Sequence, residues 1–166
     1  LDFANFELFD ISGTKFTDVT GDGITGDDTG LGGVTIFIDL NGNQLDDDGV
    51  STVTAGDGSW SFSNLDYTYA GKSVYEVLPN GYVQTVGQGG HIITGTSGSD
   101  QRGLDFANFE LFDISGTKYT DVDGDSVVDE GDTGLGGVTI FIDVDGNGLN
   151  DDGVSTVTEA DGGWSF

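Results

Sequence analysis

The chain has no cysteine, one proline, one histidine and four lysine and arginine residues among its 166. Without cysteine, neither disulfides nor thiolate metal sites can form. His91 alone cannot supply the ligands a soft metal wants, and it reads as a plain strand residue. Against the four cations stand 30 Asp and Glu, for a formal net charge of −26. That balance excludes nucleic acid and anionic membrane surfaces as partners. It also strains any compact state through self-repulsion unless counter-ions neutralise it. No run of 18 apolar residues occurs, so no membrane-spanning helix is expected. No signal peptide is visible, and the chain reads as cut from something longer. There is no nucleophile–base pair, phosphate loop or basic patch, so an enzyme is not expected. With 30 glycines, turns should be many and long helices absent.

What is present is an alternating pattern. Eleven Phe, five Tyr and two Trp lift the chain out of the disordered class. The stretches GTKFT, GVTIFID, VSTVT, SWSFS, SVYEVL, YVQTV, HIIT and LDFANFELF alternate apolar with polar and are bounded by Gly, Asp or Asn. Each predicts a short strand. Seven or eight short strands in about 100 residues predict an all-β antiparallel sandwich of Ig-like type. Trp60, Phe62, Val74, Phe37 and Phe106 are the expected core.

The chain also repeats itself. LDFANFELFDISGTKF at 1–16 returns as LDFANFELFDISGTKY at 104–119, LGGVTIFID at 31–39 returns at 135–143, and GVSTVT at 49–54 returns at 153–158. The offset is 103 residues, then 104 after one insertion. Such a period signals tandem domains, not a solenoid. Residues 1–10 match the last strand of a unit, 11–113 form one whole unit, and 114–166 match the first half of the next.

Four acidic loops interrupt this scaffold. DVDGDSVVDEGD (121–132) offers Asp121, Asp123, Asp125, the Val127 carbonyl, Asp129 and Asp132, with Ser126 where an EF-hand has its turn glycine. Its shorter counterpart at 18–28 offers Asp18, Thr20, Asp22, the Ile24 carbonyl, and Asp27 or Asp28. After the VTIFI strand come Asp39, Asn41, Asn43, the Leu45 carbonyl and Asp47, and in the repeat Asp143, Asp145, Asn147, the Leu149 carbonyl and Asp151. Asp57 and Asp161 lie in the next turn and could close those loops across the hairpin. Position twelve of this second loop is Val50 or Val154, not an acid. Asp, Asn and Gly also make ordinary turns. Four loops at this spacing favour a metal, and hard oxygen donors favour Ca²⁺, which takes six to eight oxygens.

The ordered motifs ISGTKFTDVTGDG, GLGGVTIFIDLNGNQLDDDG, STVTAGDGSWSF, YEVLPNGYVQT and LDFANFEL resemble the SdrD B-like domains, a branch of the collagen-adhesin B-type (CnaB-like) domains. The resemblance covers 11–113 and the partial copy. It implies a prealbumin-like sandwich that binds Ca²⁺ and stacks in tandem, in stalks of secreted or surface-anchored bacterial proteins. It also implies a cross-link, since many CnaB-like domains join a first-strand Lys to a last-strand Asn beside a buried acid. The matching residues are Lys15, Asn108 and Glu76, with Lys118 and Asn5 in the partial copies. The ordinary alternative is a snorkelling lysine paired with a carboxylate and a conventionally bonded asparagine.

The expected role is therefore structural: a calcium-stiffened bead of an extracellular stalk, adhesin or filament. The alternative is a module that binds carbohydrate or a host protein. Neighbouring repeats are the expected partners, head to tail, in the same or another chain. In the latter case residues 1–10 of one chain would lie in 114–166 of another, with Asn5 near Lys118.

Overall fold

Strands form where apolar and polar residues alternate, and they stop at Gly, Asn and Asp. A computed structural model describes residues 1–166. It divides into two units, Leu1–Leu111 and Phe112–Phe166. Unit 1 holds β1 (Phe9–Thr17), β2 (Thr29–Gly30), β3 (Thr35–Asp39), β4 (Ser51–Val53), β5 (Ser59–Leu65), β6 (Ser73–Glu76), β7 (Tyr82–Val86), β8 (His91–Ile92) and β9 (Phe106–Glu110). One 3-10 turn, Tyr67–Tyr69, follows β5 and is capped by Asp66. All eight stretches read as strands contain one; β2 is the addition. No helix is long and apolar enough to cross a membrane.

Two sheets form the sandwich. One runs β2-β1-β9-β7 with β5 also on β1, and the other runs β4-β3-β6-β8. Pairing between strands is antiparallel with one exception. The first part of β1 pairs antiparallel with β5, from Phe9↔Leu65 to Thr14↔Ser59. Its last three residues pair parallel with β9, Lys15↔Phe106 to Thr17↔Asn108. A parallel pair needs a long connection between its strands, and almost the whole unit supplies one here.

The core follows the period of two. Ile36 and Ile38 on β3 join Phe9, Ile11, Trp60, Leu65, Val74, Ile93, Leu104 and Phe106 between the sheets, with Phe62 partly buried against them. Phe37 is buried on the opposite face of β3, its ring 5.9 Å from Tyr75. It was expected in the central core, but the odd position in an alternating strand points away.

Residues 1–10, expected to be a strand, form none over 1–8, while Phe9 and Asp10 open β1. Burial of Phe9 among the core residues draws that end of the segment into unit 1. Phe6 leans on Phe9 and Tyr67, and the Glu7 carbonyl accepts the Gly98 N–H at 3.0 Å. Residues 1–5 are exposed.

Unit 2 holds β10 (Ser115–Thr117), β11 (Tyr119–Thr120), β12 (Thr133–Gly134), β13 (Thr139–Phe141), β14 (Ser155–Val157) and β15 (Gly163–Ser165), in three two-stranded ladders. They repeat the registers of unit 1. Gly116↔Trp164 answers Gly13↔Trp60, Tyr119↔Gly134 answers Phe16↔Gly30, and Ile140↔Thr156 answers Ile36↔Thr52. One turn glycine shows how close the copying is. A Cβ on Gly58 (φ +80°) would sit 2.1 Å from the Lys15 carbonyl oxygen, and one on Gly162 (φ +82°) 2.2 Å from that of Lys118.

Candidate metal centres

All four acidic loops fold alike. Each opens on an aspartate at the end of a strand, Asp18, Asp39, Asp121 or Asp143, and curls back over its carboxylate. One oxygen accepts the N–H of the fourth loop residue: Gly21 at 2.7 Å, Gly42 at 2.6 Å, Gly124 at 2.7 Å and Gly146 at 2.8 Å. The other oxygen accepts the N–H of the sixth: Gly23 at 3.0 Å, Gln44 at 2.8 Å, Ser126 at 3.0 Å and Gly148 at 2.8 Å. Both positions need a left-handed backbone. The fourth is always glycine, but at the sixth Gln44 (φ 62°) and Ser126 (φ 65°) adopt it with a side chain. Such a conformation costs a non-glycine residue on the order of 1 kcal/mol, and the amide-to-carboxylate bonds hold it there.

The same amides tune the acids. Burial pushes the Asp18 carboxyl up, but the neighbouring Thr85 hydroxyl and the Gly23, Gly21 and Asp22 amides outweigh it and hold the group below the usual range. At Asp39 burial is likewise outweighed, by the Gln44, Gly42, Asn43 and Asn41 amides. The Gly148 amide does most to hold Asp143 low. These acids are therefore charged at neutral pH and aimed into their loops.

A second aspartate ties each loop shut by accepting the N–H of its second residue. Asp28 takes Val19 at 3.0 Å and Asp132 takes Val122 at 2.9 Å. Asp48 takes Leu40 and Asp152 takes Val144, both at 2.8 Å. Of the pair Asp27 and Asp28, then, Asp28 closes the first loop, while Asp27 accepts from the Thr25 hydroxyl. The second loops do end on an acid, at position ten, two residues before Val50 and Val154. Sequence reading passed over Asp48 and Asp152, although the acid runs DDD and NDD contain them.

The remaining donors fall between these anchors. The Asn41 amide nitrogen donates to Asp47 and Asp48, both at 3.1 Å, and that of Asn43 to Asp47 at 2.9 Å. Asn147 donates in the same way to Asp151 at 3.3 Å and to Asp145 at 3.0 Å. In each second loop an amide NH₂ thus bridges carboxylates. Turning that amide over would present its oxygen to the same place, and a cation would then hold the acids together. Carboxylate oxygens of Asp121, Asp123 and Asp125 lie within 4.8 Å of one another, as do those of Asp143, Asp145 and Asp152. Asp125 caps Val127 at 2.8 Å, and Asp129 caps Gly131 at 2.9 Å. Thr20 and Asp22 lie exposed in the first loop. The seventh residues, Ile24, Leu45, Val127 and Leu149, expose apolar side chains, so any part they take in ligation is through the carbonyl.

Asp57 and Asp161 do not reach these loops. Asp57 accepts from Ser59 N at 3.0 Å and Oγ at 2.6 Å, and Asp161 from Gly163 N at 2.9 Å. Each caps its own turn, because a partner two residues away wins over one across the hairpin. Lys72, unforeseen, donates to the Leu40 carbonyl at 2.6 Å and pins the second loop of unit 1 to the start of β6.

The donor set suits a hard cation. It is all oxygen, rich in charge, and curled by backbone amides into a shape that alternate residues can line.

A different polar cluster lies inside unit 1. Lys15 and Asn108 sit on the inward face of the adjacent strands β1 and β9, and Glu76 stands on β6 of the opposite sheet. Lys15 and Asn108 are fully buried, and Lys15 Nζ lies 2.8 Å from Glu76 Oε2. That contact is not aligned as a hydrogen bond. Lys15 Nζ, both Glu76 oxygens, and the Asn108 amide oxygen and nitrogen all lack a well-directed partner. Burial pushes the Lys15 ammonium down more strongly than the Glu76 carboxylate raises it. An unpaired buried polar group costs about 1–3 kcal/mol, a cost that falls on the Asn108 amide, while Lys15 and Glu76 form a buried ion pair. In unit 2, Lys118 is exposed, and Asn5 lies in the exposed segment at the start of unit 1.

No protein-family model and no curated protein matches the chain. Among solved structures the chain is similar to the Bacillus anthracis TIE protein, with TM-score 0.45 and 18% identity, over 96% of this chain and 26% of that one. The chain thus spans about a quarter of that protein's length.

Proposed function

We propose that the chain is a structural repeat protein whose sandwiches are stiffened by Ca²⁺, a bead of a stalk or filament outside the cell. The observation that carries this reading is the common build of the four loops. Each has an opening aspartate seated on two or more backbone amides and a closing aspartate on the second, with the other oxygen donors between. Asp18, Asp22, Asp28 and the Ile24 carbonyl would hold the ion of the first loop, joined by Asp27 if its side chain turns from Thr25. Asp39, Asn41, Asn43, Asp47, Asp48 and the Leu45 carbonyl would hold that of the second. In unit 2 the corresponding sets are Asp121, Asp123, Asp125, Asp129, Asp132 with Val127, and Asp143, Asp145, Asn147, Asp151, Asp152 with Leu149. Bound Ca²⁺ would supply charge neutralisation and a rigid tie across each loop. Extracellular modules bind the ion with Kd of about 10⁻⁴–10⁻³ M, matched to a calcium-rich exterior.

The buried cluster adds a second stiffener to this reading. The neutral Lys15 amine would attack the Asn108 side-chain carbonyl carbon, forming an Nζ–Cγ amide bond as the C–N bond to the departing ammonia breaks. Glu76 would take the proton from Nζ and pass one to the leaving nitrogen. The product removes the buried amine and ties the first strand to the last.

Calorimetric titration of metal-free chain with CaCl₂ is the test, followed by melting with and without chelator. Saturable binding and a raised Tm in Ca²⁺ are expected. No heat and an unchanged Tm would refute the loops as calcium sites. The mass of the intact chain reports the cross-link: a deficit of about 17 Da, one ammonia, that Glu76→Ala restores. A full mass in the unmutated chain would exclude it.

A further inference from the structure

We propose that the first acidic loop of unit 1 governs the Lys15–Asn108 bond: Asp18 positions Asn108 through the backbone of β9, so a cation held in residues 18–28 speeds the condensation. The proposal rests on the reading of 18–28 as a calcium loop and of Lys15 and Asn108 as a cross-link, and it adds the coupling between them.

The loop and the reacting pair share one stretch of backbone. Lys15, Phe16 and Thr17 pair in parallel with Phe106, Ala107 and Asn108. The next rung belongs to the loop, since the Asp18 N–H donates to the Asn108 carbonyl at 2.8 Å. On its other side Asn108 pairs with Gln84 of β7, and that ladder bulges at Thr85. The buried Thr85 hydroxyl stands beside the fully buried Asp18 carboxylate. The loop then lies over the outer face of β9 and β7. Ala107 and Phe109 point to that face, opposite to Phe106 and Asn108. A Cβ on Gly21 would lie 3.5 Å from the Phe109 ring, and one on Gly23 would lie 3.9 Å from Val86. Ala107 is fully buried there. Asn108 is thus gripped by a strand end and a loop that meet at Asp18, while Lys15 and Glu76 stand on its inward side.

That placement matters because the reaction has little geometric freedom. The Nζ–Cγ bond forms as the carboxamide C–N bond breaks and ammonia leaves, with Glu76 carrying the proton between the two nitrogens. A misplacement of about 1 Å costs about 10²-fold in rate. The Asn108 amide has no hydrogen-bond partner, so the β9 backbone fixes where it stands. In the metal-free loop the four charges of Asp18, Asp22, Asp27 and Asp28 share residues 18–28 and repel one another, which loosens the rung at Asp18. A cation drawing Asp18, Asp22 and Asp28 together would hold that rung shut. The second loop has no such hold. Asp39, which opens it, pairs with Ser73, whereas Glu76 pairs with Ile36, three residues along β3 and about 10 Å away. Its ties from Asp48 and Lys72 both run to Leu40. Loops of extracellular affinity, with Kd of about 10⁻⁴–10⁻³ M, stay empty in a calcium-poor cell interior and fill outside it, so the bond would seal after export.

The full 166-residue chain, isolated unfolded in urea before it can condense, is diluted into CaCl₂ or into EGTA, and its intact mass is followed in time. Peptide mapping assigns the loss of ammonia to Lys15 and Asn108. The deficit should grow at least about fivefold faster in CaCl₂, the lower end of ordinary coupling between sites. Asp22→Ala, in the exposed part of the loop, should lose most of that acceleration. Asp18→Ala should slow the reaction about 10²-fold in both buffers, and Asp18→Asn, whose amide oxygen still accepts from the loop amides, should recover part of it. Where Asp18→Ala fails to fold, Asp22→Ala carries the test. Rates alike in CaCl₂ and EGTA, while calorimetry shows calcium bound, would overturn the proposal and leave both of its premises standing. So would an equal loss of acceleration in Asp48→Ala, because calcium would then act by stabilising the sandwich as a whole. A chain that never loses ammonia refutes the cross-link, and one that takes up no calcium refutes the loops. Either outcome overturns this proposal together with its premise.

Discussion

Units 1 and 2 share sequence, strand registers and loop geometry, yet they differ in what they bury. Ile36 and Ile38 are buried in unit 1, while their counterparts Ile140 and Ile142 are only half-buried. Lys15 lies fully inside one unit, and Lys118 is exposed in the other. The difference is the second half of the sandwich. In unit 1, β6 and β8 extend the β3 sheet and β9 and β7 extend the β1 sheet. Unit 2 has three ladders without those strands. Hairpins and acidic loops are therefore set by neighbours in sequence, whereas a core and a buried polar cluster need strands from far along the chain.

The largest effect expected from this contrast is at the two lysines. Lys15→Ala leaves Glu76 buried without its cation and should destabilise unit 1 by about 3–5 kcal/mol. Lys118→Ala, at an exposed site, should stay within about 0.5 kcal/mol. Urea unfolding followed by the fluorescence of Trp60, with Trp164 replaced by Phe, reads unit 1, and the converse replacement reads unit 2. Equal losses for the two lysine variants would erase the distinction.

Next come two glycines that occupy the same register. A Cβ on Gly13 would lie 2.2 Å from the Leu104 carbonyl oxygen and 2.9 Å from the Trp60 ring. One on Gly116 meets only Trp164, at 2.7 Å. Gly13→Ala should cost about 1–3 kcal/mol through overpacking against backbone, and Gly116→Ala less, because a lone ring can shift. The same two-probe unfolding measures both, and a greater loss at Gly116 would show that the backbone of Leu104 yields.

A smaller change tests the loops. Asp48→Ala and Asp152→Ala remove the closing acids of equivalent loops, and each should weaken calcium binding roughly tenfold or more. Asp46→Ala, two residues from a closing acid, should leave the affinity nearly unchanged. Calorimetric titration of the three variants decides whether position ten closes the loop, and equal affinities would reject it. The loss should be the same in both units, since loop geometry does not depend on the core.

The smallest difference expected is in pH dependence without metal. Asp18, Asp39 and Asp143 are held below the usual carboxylate range, so their folded forms stay charged after the unfolded ones begin to protonate at about pH 4. Their contribution is complete above that pH and falls away as the pH drops through the folded values. Unit 1 carries two of these acids and unit 2 one, so unit 1 should lose more. Lys15 works in the alkaline range. Its amine sheds a proton earlier when folded than when unfolded, so the stability of unit 1 should rise with pH until the unfolded lysine titrates at about pH 10.4. Unfolding midpoints against pH in chelated buffer check both signs, and a flat alkaline limb would mean that Lys15 either stays charged or is already condensed with Asn108.

How much of this was legible in the sequence follows from the range of each interaction. Strands β1 and β3 to β9 were readable because alternation is a local property, and the chain repeats the sequences of β1, β3, β4, β5 and β9. The acidic loops were readable because Asp, Asn and Gly at fixed spacing form bonds over three to five residues, as Asp18 does with Gly21 and Gly23 and Asp143 with Gly146 and Gly148. Even there, the closing role of Asp48 and Asp152 and the capping of its own turn by Asp57 were missed. Each depended on which of several nearby amides a carboxylate could reach. Lys15, Asn108 and Glu76 could be picked out as residue types on separate strands, but their convergence was expected only from the family resemblance, not from any local pattern. It required β1 and β9 to pair in parallel and β6 to face them across the core. The sequence by itself therefore determined the local elements: strands, turns and the curl of each loop, where a few adjacent residues satisfy one another. The tertiary structure alone decided which strands became neighbours and that Phe37 faced away from the central core. Those outcomes depend on long-range pairing, whose free energy exists only once distant segments have met.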